Sequence, residues 1–117
     1  MEQLETVKAF EALAHETRLA AFRLMIPAGA EGLPAGVIGE RLDLAANSLS
    51  FHLTRLVNAG LVGGRRQGRH IYYAVDYARL SGLVAFLADD CCAAVPEGCA
   101  PDCPGAAPAS GRRRKRK

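Results

Sequence analysis

The run ANSLSFHLTRLVNAGLVGGRRQGRHIYYAV, residues 46–75, limits the possible folds of this chain more than any other segment. Leu49, Leu53, Leu56 and Val57 recur at i, i+4, i+7 and i+8, the spacing of a core-facing helical stripe. At about 100° per residue, Asn47, Ser48, Phe51, Thr54, Arg55 and Asn58 fall on the opposite face. Ala46 or Asn47 begins this helix, and Gly60 suits the position after it, where a left-handed backbone is often required. Two β-prone runs then flank Gln67-Gly68-Arg69, which predicts a hairpin with a glycine in its turn. Arg65, Arg66 and Arg69 lie at or beside its tip.

The rest of the chain supplies helices around this unit. Leu4, Val7, Phe10 and Leu13 recur at three-residue steps, predicting a first helix up to about Ala14. A second is expected from His15 to Met25 or Ile26, with Leu19, Phe22 and Ile26 inward and Pro27 and Gly29 ending it. Pro34 suits the first turn of a short third helix through Val37, Ile38 and Leu42 that ends near Asp43. A final helix from about Asp76 to Asp90 aligns Leu80, Leu83, Val84 and Leu87, and Cys91 continues that stripe. After Ala94 the composition turns to Pro, Gly and Ala, so residues 95–117 are expected to be irregular and largely mobile, behind a folded domain of residues 1–94.

With 117 residues and 50% hydrophobic content the chain can bury one small core. No apolar run approaches the roughly 18 residues of a membrane-spanning helix. The charged, amphipathic start MEQLETVKAFEAL lacks a secretory apolar region, so a cytoplasmic location is expected. Net charge divides unevenly: −3 over residues 1–40, +4 over 41–70, −4 over 71–111 and +6 in the closing RRRKRK, for a total of +3. The one basic internal segment coincides with the polar-faced helix and the arginine hairpin.

A short helix, a turn, a helix with a polar outer face and an arginine-tipped hairpin describe a winged helix-turn-helix, a mostly α fold with a β-hairpin wing. Such a helix fits the DNA major groove, where amides and guanidinium groups pair with base edges. Arginines on a wing neutralise phosphates or enter the minor groove. The candidate DNA-binding residues are Asn47, Ser48, Ser50, Phe51, His52, Thr54 and Arg55 on the helix, with Arg65, Arg66, Gln67 and Arg69 on the wing. His52, at the edge of the apolar stripe, suits either a partly buried structural role or a phosphate contact. Phe51 suits either packing against a neighbour or apolar contact with a thymine methyl. The RRRKRK run is either a non-specific DNA attractor or a solvated end.

All four cysteines, Cys91, Cys92, Cys99 and Cys103, fall within thirteen residues. Disulfide-stapled domains distribute their cysteines through the fold, whereas clustered thiols in a reducing compartment point to metal binding or redox sensing. Paired C-x-x-C knuckles, the usual tetrahedral zinc pattern, are absent from the sequence. Adjacent cysteines can give two sulfurs to one soft centre, with a third delivered from the following Gly/Pro segment. Three sulfurs in a trigonal pyramid suit trivalent arsenic or antimony; cadmium, zinc, lead and a metal-free thiol switch are the alternatives. The thiols sit at a helix C-terminus among acidic residues, the wrong end for activating a catalytic thiol, so an enzyme is not expected.

Together, ALAHETRLAAFRLM and ANSLSFHLTRLVNAGLVGGRRQGRHIYYAV resemble the ArsR/SmtB family of metal-responsive repressors across roughly residues 7–90. His52, Leu53, Leu56, Ala59, Gly60, Leu61, Tyr72 and Tyr73 match the pattern, while Phe51 stands where the family often has arginine. The resemblance implies a homodimer reading pseudo-palindromic double-stranded operator DNA, released on binding an inducer. The first and last helices offer a seam for that dimer. Well-known arsenic repressors carry their cysteines in the helix before the reading helix, where this chain has AGVIGERLDL and none. FLADDCCAAVPEGC is instead similar to a group with a cysteine pair closing the last helix and a third cysteine several residues on. The resemblance therefore implies As(III) or Sb(III) as the inducer, with no organic cofactor. It ranks Cys91, Cys92 and Cys99 ahead of a set using Cys103.

Overall fold

A computed structural model describes residues 1–94, 96–98 and 101–103. The first helix, α1 (Gln3–Leu13), buries Thr6, Ala9 and Ala12 and leaves Leu4, Val7 and Phe10 exposed. This corrects the expectation of a single inward stripe. A step of three residues falls about 60° short of a full turn, so Leu4, Val7, Phe10 and Leu13 wind around the helix instead of lining one side. The small side chains are the ones that face inward.

α2 (Glu16–Met25) starts at His15, whose Nδ1 accepts the Thr17 backbone N–H at 3.1 Å. It buries Ala21, Phe22 and Met25 as an amphipathic helix should, but also Arg18, while Leu19, expected inward, is exposed. Pro27 leads the chain into a 3-10 segment, Ile26–Glu31. A two-residue strand, β1 (Leu33–Pro34), then precedes α3 (Ala35–Leu42). The helix ends where Asp43 takes a left-handed conformation (φ 57°), and the Leu44 N–H returns to the Gly39 carbonyl at 2.9 Å.

α4 (Ala46–Asn58) buries Leu49, Leu53 and Leu56, as its spacing predicts. Val57, expected in the same stripe, is exposed at its edge. Gly60 follows with φ 80°, and its N–H bonds the Val57 carbonyl at 2.9 Å. A side chain here would need a backbone conformation that only glycine adopts without strain. Strands β2 (Val62–Gln67) and β3 (His70–Val75) form the hairpin. Gly68, at φ 66°, opens its two-residue turn, as a type II′ turn requires. The sheet is antiparallel in the order β1-β3-β2, with Leu33 opposite Tyr73, Arg65 opposite Tyr72 and Arg66 opposite Ile71. Leu61, Val62 and Val75 at the hairpin base join Phe22, Met25, Ile38 and the α4 leucines in the buried set. Each large aliphatic or aromatic side chain so buried contributes about 1.5–3 kcal/mol.

α5 (Tyr77–Ala88) is capped by Asp76, whose Oδ1 accepts the Arg79 N–H at 3.1 Å. Of its expected stripe Leu83 is buried, whereas Val84 and Leu87 are exposed. The chain divides into two compact units, Met1–Gly82 and Leu83–Lys117. Most of the segment expected to be irregular, 95–117, lies outside the described residues; within it Pro96–Gly98 forms a 3-10 turn. No helix of the described residues is long and apolar enough to cross a membrane.

Candidate nucleic-acid interface and thiol cluster

The α3–turn–α4 unit presents the outer face of α4 to solvent. Asn47, Ser48, Phe51, Thr54, Arg55 and Asn58 are all exposed. Phe51 is 57% exposed although its ring packs T-shaped on His52 with centroids 5.5 Å apart and the Arg55 guanidinium stands 5.7 Å from its centroid. An apolar ring under a cation on an open helix face is costly in water and useful against a groove. Ser50 is turned to one side, where it lines a recess of ≈ 530 Å³ with Gly39, Glu40 and Tyr73. No side chain caps the start of α4 at Ala45, which leaves first-turn N–H groups open to an anion. Ser48 is the exception, its N–H bonded to Asn47 Oδ1 at 3.0 Å.

The three wing arginines are not equivalent. Arg65 Nη2 donates to Gln67 Oε1 at 3.1 Å and to the Glu31 carbonyl at 3.4 Å, and its guanidinium lies 5.5 Å from the Tyr72 ring centroid. Arg65 and Gln67 thus brace the wing. Arg66 points to the other side of the strand and lines a groove of ≈ 350 Å³ with Thr54, Val57, Gly64, Ile71 and Tyr73, between α4 and the wing. Arg69 sits exposed in the hairpin turn. Among the described residues, the wing-arginine hydrogen bonds are those of Arg65, while Arg66 and Arg69 are exposed.

His52 is half-buried and turned away from the outer face. Its Nδ1 lies 3.3 Å from Arg18 Nη1 and its ring is 4.7 Å from that of His15. Burial, together with the neighbouring His15, Arg18 and Arg55, lowers its pKa from 6.5. Arg18 was not among the residues singled out from sequence; the signal was a charged residue at a position of α2 where the pattern asks for an apolar one.

In the second unit the chain turns just after α5. The Cys91 N–H bonds the Ala88 carbonyl at 3.0 Å, and Cys92 adopts a left-handed conformation (φ 61°). The turn brings three sulfurs, those of Cys91, Cys92 and Cys103, within 4.8 Å of one another. Cys92 Sγ is 4.0 Å from Cys91 Sγ and 3.8 Å from Cys103 Sγ, while Cys91 and Cys103 are in bonding contact. Sulfurs about 2.3 Å from one tetrahedral centre stand roughly 3.8 Å apart, so the Cys92 spacings suit a shared soft ion. The Cα atoms of Cys91 and Cys103 are 7.0 Å apart, beyond the usual range of about 4.4–6.8 Å for a disulfide. Cys99 and the RRRKRK run lie outside the described residues.

Residues 13–64 match a family model described as a helix-turn-helix domain. The chain is 31% identical over 96 residues to the uncharacterized HTH-type transcriptional regulator YbzH of Bacillus subtilis, covering 72% of this chain and 96% of that protein. To the "Probable mercury resistance operon repressor" of Streptomyces lividans it is 32% identical, with 78% of each chain covered. A further match, the regulator YceK of Bacillus subtilis, is 35% identical over 66 residues, 56% of this chain and 65% of that protein. Among solved structures, the homodimeric winged helix-turn-helix domain of Mb0332 from Mycobacterium bovis, described as a possible ArsR-family transcriptional regulator, superposes with a TM-score of 0.58 at 29% identity, covering 74% of this chain and 80% of that one. A structure described as a "Possible transcriptional regulator for arsenical resistance" does so at 0.58 and 30% identity, covering 66% and 77%. These relatives are regulators rather than enzymes, and with the arginine-tipped wing beside an open α4 they place the chain in the ArsR-type family of winged helix-turn-helix transcriptional regulators.

Proposed function

We propose that this protein is a cytoplasmic metalloid-responsive repressor: a homodimer that grips pseudo-palindromic operator DNA when metal-free and lets go on binding trivalent arsenic or antimony. The observation that carries this reading is the gathering of three cysteine sulfurs, available together as thiolates once reduced, within 4.8 Å after the last helix. Cys91, Cys92 and Cys103 supply the three-sulfur donor set that such a soft ion takes. Cys99, ranked ahead of Cys103 from the sequence, remains the competing third ligand. The likeness to a mercury-resistance repressor and to an arsenical-resistance regulator supports a thiophilic inducer.

On the DNA side, Arg66 and Arg69 bind phosphates, and Asn47, Ser48, Phe51, Thr54 and Arg55 meet the base edges. Arg65 and Gln67 keep the wing in shape, and Ser50 serves from the flank. Leu4, Val7 and Phe10 on α1, and separately Val84 and Leu87 on α5, are exposed apolar side chains of the kind a second copy would cover. Inducer capture reshapes the segment directly after Val84 and Leu87, so it acts on a helix of the dimer seam. A coupling of about 1–3 kcal/mol changes operator affinity ~5–150-fold, and DNA must weaken inducer binding by the same factor.

The bonding contact between Cys91 and Cys103 favours one second reading, a thiol redox switch. Thiol counting tests the first. One equivalent of arsenite per chain should protect three thiols from a maleimide reagent under reducing conditions; protection of none would remove the inducer assignment.

A further inference from the structure

The three leucines that seat α4 decide which face turns inward, but their contacts are non-directional and set its rotation less sharply than a hydrogen bond does. The directional tie runs through Arg18. This side chain is 7% exposed and always charged, so its donors need buried acceptors. Arg18 Nε donates to the Ala12 carbonyl at 2.6 Å, one of the last-turn carbonyls of α1 that lack a partner within the helix. Arg18 Nη1 meets His52 Nδ1 at 3.3 Å. A guanidinium can only donate, so Nδ1 is the acceptor and the neutral His52 ring carries its proton on Nε2.

We propose that Arg18 is a positioning residue for operator binding, fixing the recognition helix by holding neutral His52, and that acid loosens this hold. The inference rests on α4 being the DNA-reading helix. Protonating His52 converts the acceptor into a donor facing a guanidinium. The titratable and charged groups around it, His15 just before α2, Arg18 of α2 and Arg55 of α4, all disfavour the new charge. The lowered His52 pKa has the matching sign: the positioned state favours the neutral ring, so protons favour its loss as pH falls below 6.5. A His52 that contacted phosphate directly would do the opposite, because its positive charge would strengthen DNA binding.

The test measures affinity of the full-length chain for a duplex from its own promoter at pH 7.5 and 5.5, at fixed ionic strength. Wild type is compared with His52→Gln, whose amide oxygen can still accept from Arg18 but does not titrate. The ratio of wild-type to H52Q affinity should fall threefold to tenfold per subunit on acidification, since one coupled proton allows at most about tenfold per pH unit. Arg18→Lys should weaken binding at pH 7.5 while leaving the salt slope of log K unchanged, because residue 18 touches no phosphate. A ratio that stays constant or rises, or an R18K slope lowered by about 0.9, overturns the proposal. Failure of wild type to bind the duplex at pH 7.5 would instead overturn the DNA-reading assignment of α4.

Discussion

Replacing Arg66 and Arg69 together by alanine tests the wing quantitatively. Both are exposed, and the hydrogen bonds and ring stacking of the wing involve Arg65 instead. Each arginine that neutralises a phosphate contributes about 0.9 to the slope of log K against log salt. The double variant should therefore lose about 1.8 per wing, or about 3.6 for a dimer with both wings engaged. Raising salt from about 50 to 200 mM would then weaken the variant roughly twelvefold less per wing than wild type. Arg65→Ala should lower the slope by less than half the single-arginine value, since its guanidinium is committed to Gln67, the Glu31 carbonyl and Tyr72. Fluorescence anisotropy across a salt series reads all three slopes. An unchanged slope in the double variant would refute the wing assignment, and a loss for Arg65→Ala larger than half that of the double variant would refute the division of labour.

Other expectations concern the scaffold and the thiols. Leu53→Ala, at a position 1% exposed, should cost about 3 kcal/mol, read by urea unfolding; a cost under about 1 kcal/mol would contradict its place in the core. Gly60→Ala should destabilise by more than about 1 kcal/mol, because φ is 80° and a Cβ would stand 2.9 Å from Arg79 Nη2. Leu4→Glu with Phe10→Glu should halve the mass seen by sedimentation without unfolding the chain, since neither residue is buried within it. Cys103→Ser should abolish tight arsenite binding by calorimetry while Cys99→Ser preserves it; the reverse result would make Cys99 the third ligand.

The recognition unit was legible in the sequence because one strong constraint governs each part. Leu49, Leu53 and Leu56 answer only to the chain's own core, and Gly60 and Gly68 answer to backbone geometry. The first and last helices were harder to interpret. Periodicity marks Leu4, Val7, Phe10, Val84 and Leu87 as apolar, yet it does not distinguish a surface packed within one chain from one awaiting a second copy. Nor does a three-residue step keep to one side, so the inward face of α1 fell to Thr6, Ala9 and Ala12. Arg18 stayed invisible because its burial depends on Ala12 and His52, partners six and thirty-four residues away. β1 is two residues long and contains a proline, too little for a strand pattern; only pairing with Tyr72 and Tyr73 makes it one. Cys103 joins Cys91 and Cys92 through a turn that spacing alone does not specify.

Arsenite titrated into the preformed protein–operator complex, followed by anisotropy, addresses sensing most directly. Wild type should release the DNA at about one equivalent per chain, whereas a variant with Cys91 and Cys92 replaced by serine should bind the operator normally and stay bound. Equal release from both proteins, or no release from wild type, would contradict control of DNA binding by these sulfurs.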